Sequence, residues 1–162
     1  MPVEIIQPQD GYVRILGVGP VVPPTEVPYA VSGGTTGTQP TFSGDPLFTG
    51  SYVRTGDLVH FRVTVQFDNI TSFGTGQYYI TLPFPAKYDY QFSDGALHHV
   101  STDRNYPIFG DVAPNSNQLL LESITAQGNT AYQVDFTYNH PITLTTADSF
   151  HVSGTYIMIE GD

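Results

Sequence analysis

One short stretch restricts this chain more than any other. Between Asp57 and Asp68, the apolar residues Val59, Phe61, Val63, Val65 and Phe67 alternate with His60, Arg62, Thr64 and Gln66. Successive side chains of a strand point to opposite faces, so a period of two puts one set against a core and the other in water. No helix can sort these residues that way, because its apolar stripe repeats every three to four residues. The stretch is therefore predicted to be a half-buried strand, and its neighbours in the fold must be strands too.

The same period recurs downstream. Residues 76–82 alternate Tyr78, Ile80 and Leu82 with Gln77, Tyr79 and Thr81, and residues 132–138 alternate Tyr132, Val134, Phe136 and Tyr138 with Gln133, Asp135 and Thr137. Residues 96–102, 106–112, 118–124 and 150–159 are further expected strands, the second of them interrupted by Gly110. Ser93-Asp94-Gly95, Ala113-Pro114-Asn115-Ser116-Asn117, Gln127-Gly128-Asn129 and Asn139-His140-Pro141 supply turn residues between them. Gly74-Thr75-Gly76 is expected to be the hairpin turn that pairs residues 57–68 with residues 76–82. About eight short strands with frequent turn signals predict an all-β fold, a jelly-roll-like antiparallel β-sandwich. Composition agrees: 13% of the residues are aromatic, all Tyr or Phe, and only 12% are charged, a mix that suits strands and turns better than long helices.

The first part of the chain differs. Pro2, Pro8, Pro20, Pro23, Pro24, Pro28, Pro40 and Pro46 crowd there, with Gly33, Gly34, Gly37 and Gly44 among them. Proline removes ladder donors and fixes φ, so residues 1–49 are expected to form an extended N-terminal arm in front of a sandwich domain at 50–162. Only Tyr12 to Leu16 resembles a strand there. The apolar residues Ile5, Ile6, Tyr12, Ile15 and Leu16 are the expected anchoring contacts of that arm.

Charge and motifs exclude more than they assign. The net charge is −10, and the five cations, Arg14, Arg54, Arg62, Lys87 and Arg104, are scattered. Neither nucleic acid nor an anionic membrane is an expected partner. There is no cysteine, so disulfides and Cys-based zinc sites are excluded. The opening Met1-Pro2-Val3-Glu4 lacks the basic and apolar regions of a signal peptide, and export by that route is not expected. His98 and His99 are adjacent in a strand and point to opposite faces, so they do not share a metal. No Gly-x-Ser-x-Gly elbow occurs, and most of the aspartates noted (Asp10, Asp45, Asp68, Asp94, Asp103, Asp148) sit in turns. No catalytic role, metal or cofactor is expected. Two groups remain as candidate contact residues. His60 and Arg62 share the outward face of the long strand and could form an interface. Tyr88, Tyr90 and Phe92, which follow Pro83 and Pro85, could stack on sugars or meet another subunit.

A wider pattern emerges at Phe48 to Pro85. Phe48-Thr49-Gly50-Ser51-Tyr52 and Thr55-Gly56-Asp57-Leu58-Val59-His60 lead into the long strand. Phe67-Asp68-Asn69-Ile70, Phe73-Gly74-Thr75-Gly76-Gln77-Tyr78 and Leu82-Pro83-Phe84-Pro85 follow, and Ser153-Gly154-Thr155-Tyr156 closes the series. This series resembles a β-domain found at the C-terminal end of minor tail proteins of tailed bacteriophages, especially those of actinobacteria. The resemblance implies a virion structural protein exposed on the particle surface and assembled in the host cytoplasm. It implies other capsid or tail proteins as partners, a homotrimer as the expected assembly, and a task in particle stability, host attachment or both. In that family the domain ends a long tail protein. Here it follows a proline-rich arm, which brings capsid decoration into the expectation. The competing expectation is a carbohydrate-binding module that recognises host surface glycans through Tyr88, Tyr90 and Phe92.

Overall fold

A computed structural model describes residues 24–127 and 130–159, together with residues 5–6 and 14–15; for residues 5–6, 14–15 and 127 it describes the backbone alone. The strands are β1 (Ile5–Ile6), β2 (Arg14–Ile15), β3 (Val27–Tyr29), β4 (Gly33–Thr35), β5 (Thr41–Phe42), β6 (Leu47–Thr55), β7 (Leu58–Gln66) and β8 (Ile70–Ser72). They continue as β9 (Tyr78–Thr81), β10 (Tyr90–Phe92), β11 (Asp94–His99), β12 (Arg104–Val112), β13 (Gln118–Gln127), β14 (Thr130–Asp135) and β15 (Ser149–Ile157). A 3-10 turn at Val100–Thr102 is the helical element among the described residues.

The architecture is an antiparallel β-sandwich made by curling one sheet over itself. The first layer runs β3-β6-β7-β15-β11, and the second holds β10, β12, β13, β14, β9 and β4. β12 belongs to both. Arg104 to Pro107 pair with β11, whereas Ile108 to Asp111 pair with β13 and Gly110 to Val112 with β10. The last strand returns to lie between β7 and β11, a Greek-key connection of the kind that jelly rolls use. Gly110 does not interrupt β12. It faces inward, where a Cβ would press on the Leu119 side chain at 2.8 Å.

The long strand behaves as its alternation requires. Val59, Phe61, Val63 and Val65 are buried, and Leu58, His60, Arg62, Thr64 and Gln66 are exposed. Its partner differs from the expectation. β7 pairs with β6 and β15, and β9 pairs with β13 and β4. Residues 57–68 and 76–82 therefore lie in opposite layers and face each other across the interior, rather than forming a hairpin. The short link that makes β7 a hairpin strand is Gly56-Asp57, where Gly56 takes φ +59 and returns the chain from β6. The stretch after β7 instead crosses the sandwich. It is tied to an earlier loop by Thr75 N–H to Thr38 O (2.9 Å) and Gly37 N–H to Thr75 O (3.0 Å).

That crossing moves the boundary of the sandwich. β3 caps one edge of the first layer and β4 one edge of the second, with Ala30 to Ser32 between them. The Tyr29 hydroxyl spans the gap and donates to Thr81 O (3.1 Å). Residues 24–49 are thus part of the sandwich and not of the expected arm. Prolines did not prevent this, because β3 is an edge strand, where a missing N–H costs no ladder bond. Of the expected anchoring residues, Tyr12 and Leu16 lie outside the described residues, as do the side chains of Ile5, Ile6 and Ile15.

Aromatic rings fill the interior edge to face. Phe61 meets Phe92 at 5.2 Å and Tyr156 at 5.9 Å, and Phe136 meets Phe150 at 5.6 Å. Gly154 makes room for Phe92, whose ring would lie 2.1 Å from an added Cβ. Tyr156 locks the segment after β9: its hydroxyl donates to Phe84 O (2.8 Å) and accepts from Phe84 N–H (3.1 Å). Burial raises this phenol to about 12, with the Phe84 hydrogen bond working against the rise, so it stays protonated and donating.

Candidate binding faces

The outward residues of the first layer stand in cross-strand rows. Ser51, Arg62, Ser153 and Asp94 form one row across β6, β7, β15 and β11. Val53, His60 and Thr155 form the row on one side of it, and Thr49, Thr64 and His151 the row on the other. The groups are partly satisfied by one another. His60 Nδ1 and Thr155 Oγ1 are 2.9 Å apart, Ser51 donates to Glu26 Oε1 (2.5 Å), and Ser153 donates to the Asp94 carboxylate. Arg62 Nε lies 3.4 Å from the same Glu26 oxygen.

An open trough of about 770 Å³ runs over this lattice, lined by Glu26, Thr49, Ser51, Arg62, Thr64, His151 and Ser153 among others. The Arg62 and Glu26 side chains are 73% and 53% exposed. An ion pair so wetted contributes only about 0–1 kcal/mol to stability, so its charges remain free to exchange water for a ligand. The two charges cancel, and the rest of the lining is hydroxyls, an imidazole, and Pro28, Gly50, Val63 and Val152 between them. Such a surface can donate to and accept from a neutral, hydroxyl-rich molecule along its length. Sequence reasoning placed His60 and Arg62 on this face. It missed Ser51, which lies one hairpin away on β6, and Glu26, His151 and Ser153, which only long-range pairing brings to this face.

Tyr88, Tyr90 and Phe92 do not form one exposed platform. Phe92 is a core residue, 6% exposed. Tyr90 is half-buried, stacks on Phe92 at 6.2 Å, and accepts the Ile157 N–H at 3.0 Å. Tyr88 alone faces solvent, with Lys87 Nζ 5.7 Å from its ring centre. The alternation put all three on one side, and that side turns inward as β10 joins the second layer beside β12.

The outer face of the second layer is acidic. Asp111 on β12, Glu122 on β13 and Asp135 on β14 follow one another across the sheet, with Asp89 just before β10. The Asp111 carboxyl is pushed up by desolvation and then by Asp89, through charge repulsion and a side-chain hydrogen bond. Glu122 is pushed up by desolvation and then by the charges of Asp111 and Asp135. The sequence did carry a signal for this row, since each strand acid alternates with buried or half-buried neighbours, but the register that aligns them is tertiary.

Among the described residues, no group of three His, Cys, Asp or Glu is arranged to hold a metal ion, and no helix is long and apolar enough to cross a membrane. No family model, curated protein or solved structure matches this chain.

Proposed function

We propose that this chain is a surface-exposed structural protein of a tailed bacteriophage particle, in the minor-tail or capsid-decoration class. One observation carries the reading. The Phe48–Pro85 series that resembles the phage tail domain coincides with the frame of the sandwich. It covers the β6–β7 hairpin, the crossing segment, β9, and the Leu82–Pro85 stretch held by Tyr156. The resemblance therefore lies in residues that make the fold, spaced as this fold needs them. Residues 1–23 are the part left over to act as an anchor, and a homotrimer is the assembly that goes with the reading. The test is incorporation. Deleting residues 2–23, which leaves β3 and β4 in place, is expected to keep the isolated domain folded and to abolish its recovery in purified particles. Undiminished recovery of the truncated chain would remove the anchoring role. Absence of the full-length chain from particles, by peptide mass spectrometry, would remove the virion reading.

A second reading is favoured by the trough: a host-glycan adhesin. The site then lies on Arg62, Glu26 and the surrounding hydroxyls rather than on Tyr88, Tyr90 and Phe92. Glycan-array binding lost in Arg62→Ala and kept in Tyr88→Ala is the expected pattern. The reverse pattern would return the contact to the aromatic side.

A further inference from the structure

Where the turn joining β11 to β12 meets the turn before β15, three polar side chains stand in series. His99 continues the alternation of β11, so its ring points inward like Leu97 and is 3% exposed. His98 points outward and lies 3.5 Å from Asp103. His99 Nδ1 is 2.8 Å from Asp148 Oδ2, and His99 Nε2 is 2.7 Å from Ser101 Oγ. Asp148 ends the turn before β15 and is 1% exposed. It also accepts Thr145 N–H on Oδ2 (2.7 Å) and Val100 N–H on Oδ1 (2.9 Å). Ser101 stands on the exposed side of the 3-10 turn.

Proton counting assigns the direction of these bonds. Burial would raise the Asp148 carboxyl, but the N–H groups of Thr145, His99 and Val100 outweigh it and hold the carboxyl below the ordinary range. Asp148 is therefore an anion at neutral pH, and an anion only accepts. The Nδ1 atom must carry its hydrogen toward Asp148, and when that is the ring's one N–H, Nε2 is the acceptor for the Ser101 hydroxyl. An oriented base beside a serine, with an ionised carboxylate behind the base, is the arrangement that activates a serine for acyl transfer.

We propose that Ser101 is a nucleophile activated by His99, with Asp148 as the positioning residue, and that it hydrolyses carboxylic esters displayed on a surface polymer. Ser101 Oγ would bond to the acyl carbon while its proton passes to His99 Nε2. The ester C–O bond then breaks, and the departing alcohol takes that proton. A water deprotonated by the same nitrogen releases the acid and restores Ser101. The substrate class follows from the setting. Ser101 sits on an exposed turn and lines neither the trough nor the hollow at Thr125, Asp135 and His140, so the ester must be brought to it on something larger. The turn ends the same layer that carries the trough: Ser149, beside Asp148, pairs with Gln66 and His98. An acylated polysaccharide seated in the trough could extend to Ser101. That substrate assignment rests on the saccharide reading of the trough; the nucleophile assignment does not.

The two parts are tested separately on the folded full chain. A small fluorophosphonate probe, followed by peptide mapping, reads the nucleophile. Ser101 is expected to be labelled about 100-fold faster than the exposed Ser43, Ser72 and Ser93, the low end of what a positioned base supplies without an enclosing pocket. His99→Gln, checked for folding by near-UV circular dichroism, is expected to remove at least about tenfold of that advantage. Ser101 labelling no faster than the other three serines in the wild-type protein would overturn the proposal without any variant. Release of acetate from an O-acetylated polysaccharide, lost in Ser101→Ala and weakened in Arg62→Ala with probe labelling intact, is the expected pattern for the substrate. Full probe reactivity with no acetate release would overturn the substrate class and leave the nucleophile standing.

Discussion

The two outer faces of the sandwich are written in the same alternating code, yet one balances its charges and the other gathers carboxylates. On the first layer, Ser51 and Arg62 share the Glu26 carboxylate, Ser153 donates to Asp94, and a trough without net charge lies above them. On the second, desolvation and then the neighbouring charges of Asp89, Asp111 and Asp135 raise the carboxyls of Asp111 and Glu122. Strand alternation decides which residues are outside. It does not decide whether the outside attracts or repels, which depends on the partners that register brings alongside. A face that satisfies itself can exchange those contacts for a ligand's. A face that repels itself is paid for by the interior that both faces share.

That shared interior gives the largest expected effect. Phe61→Ala removes a ring packed between Phe92 and Tyr156 and should cost about 3–5 kcal/mol, read as a drop in denaturation midpoint. Both faces should fail together; a loss confined to one layer would show that they fold separately. Tyr156→Phe is next. It strands the Phe84 N–H and carbonyl and should cost about 1–3 kcal/mol in the same unfolding experiment.

Acid should then separate the carboxylates by sign. Asp111 and Glu122 are raised in the folded state, so the fold holds their protons more tightly than the unfolded chain does. Their ionisation costs stability as pH rises from the ordinary carboxylate range through the raised values. Asp111→Asn should therefore be more stable than wild type at neutral pH, with the gain vanishing as both are acidified. Asp148 is lowered, so its stabilisation is present above the ordinary carboxylate range and is lost as pH falls through its folded value. Asp148→Asn should be destabilised at neutral pH and approach wild type in acid. Parallel pH–stability curves for the two variants would contradict the contrast. The smallest expected change in stability is Arg62→Ala, within about 0.5 kcal/mol. A larger loss would make the trough a structural feature and not a free one.

Much of the first layer was legible in advance. Phe61, Val63 and Val65 face the interior and His60 and Arg62 face out, as the period of two requires. Tyr78 and Ile80 share that interior too, although their strand lies opposite β7 and not beside it. The aromatic series Tyr88, Tyr90 and Phe92 was legible as a common side but not as an inward one, because nothing local says which side of a short edge segment meets the core. The arm boundary was misplaced for a related reason. Proline marks a segment that cannot donate to a ladder, and an edge strand such as β3 needs no donor on its open side. The Ser101, His99 and Asp148 series was hidden by distance along the chain. Asp148 is 49 residues from His99, and the twofold period of β11 gives no hint of what waits inside.

By itself the sequence determined that the chain is all β, where most of its long strands run, β6 excepted, and which side of the long strand is dry. Those follow from alternation and turn chemistry, which act over a few residues. Only the tertiary structure decided that the last strand enters between β7 and β11, that β12 serves both layers, and that a serine, a histidine and an aspartate meet at one turn. Pairing between distant strands is chosen by which combination closes the whole interior, and no window of a few residues contains that choice.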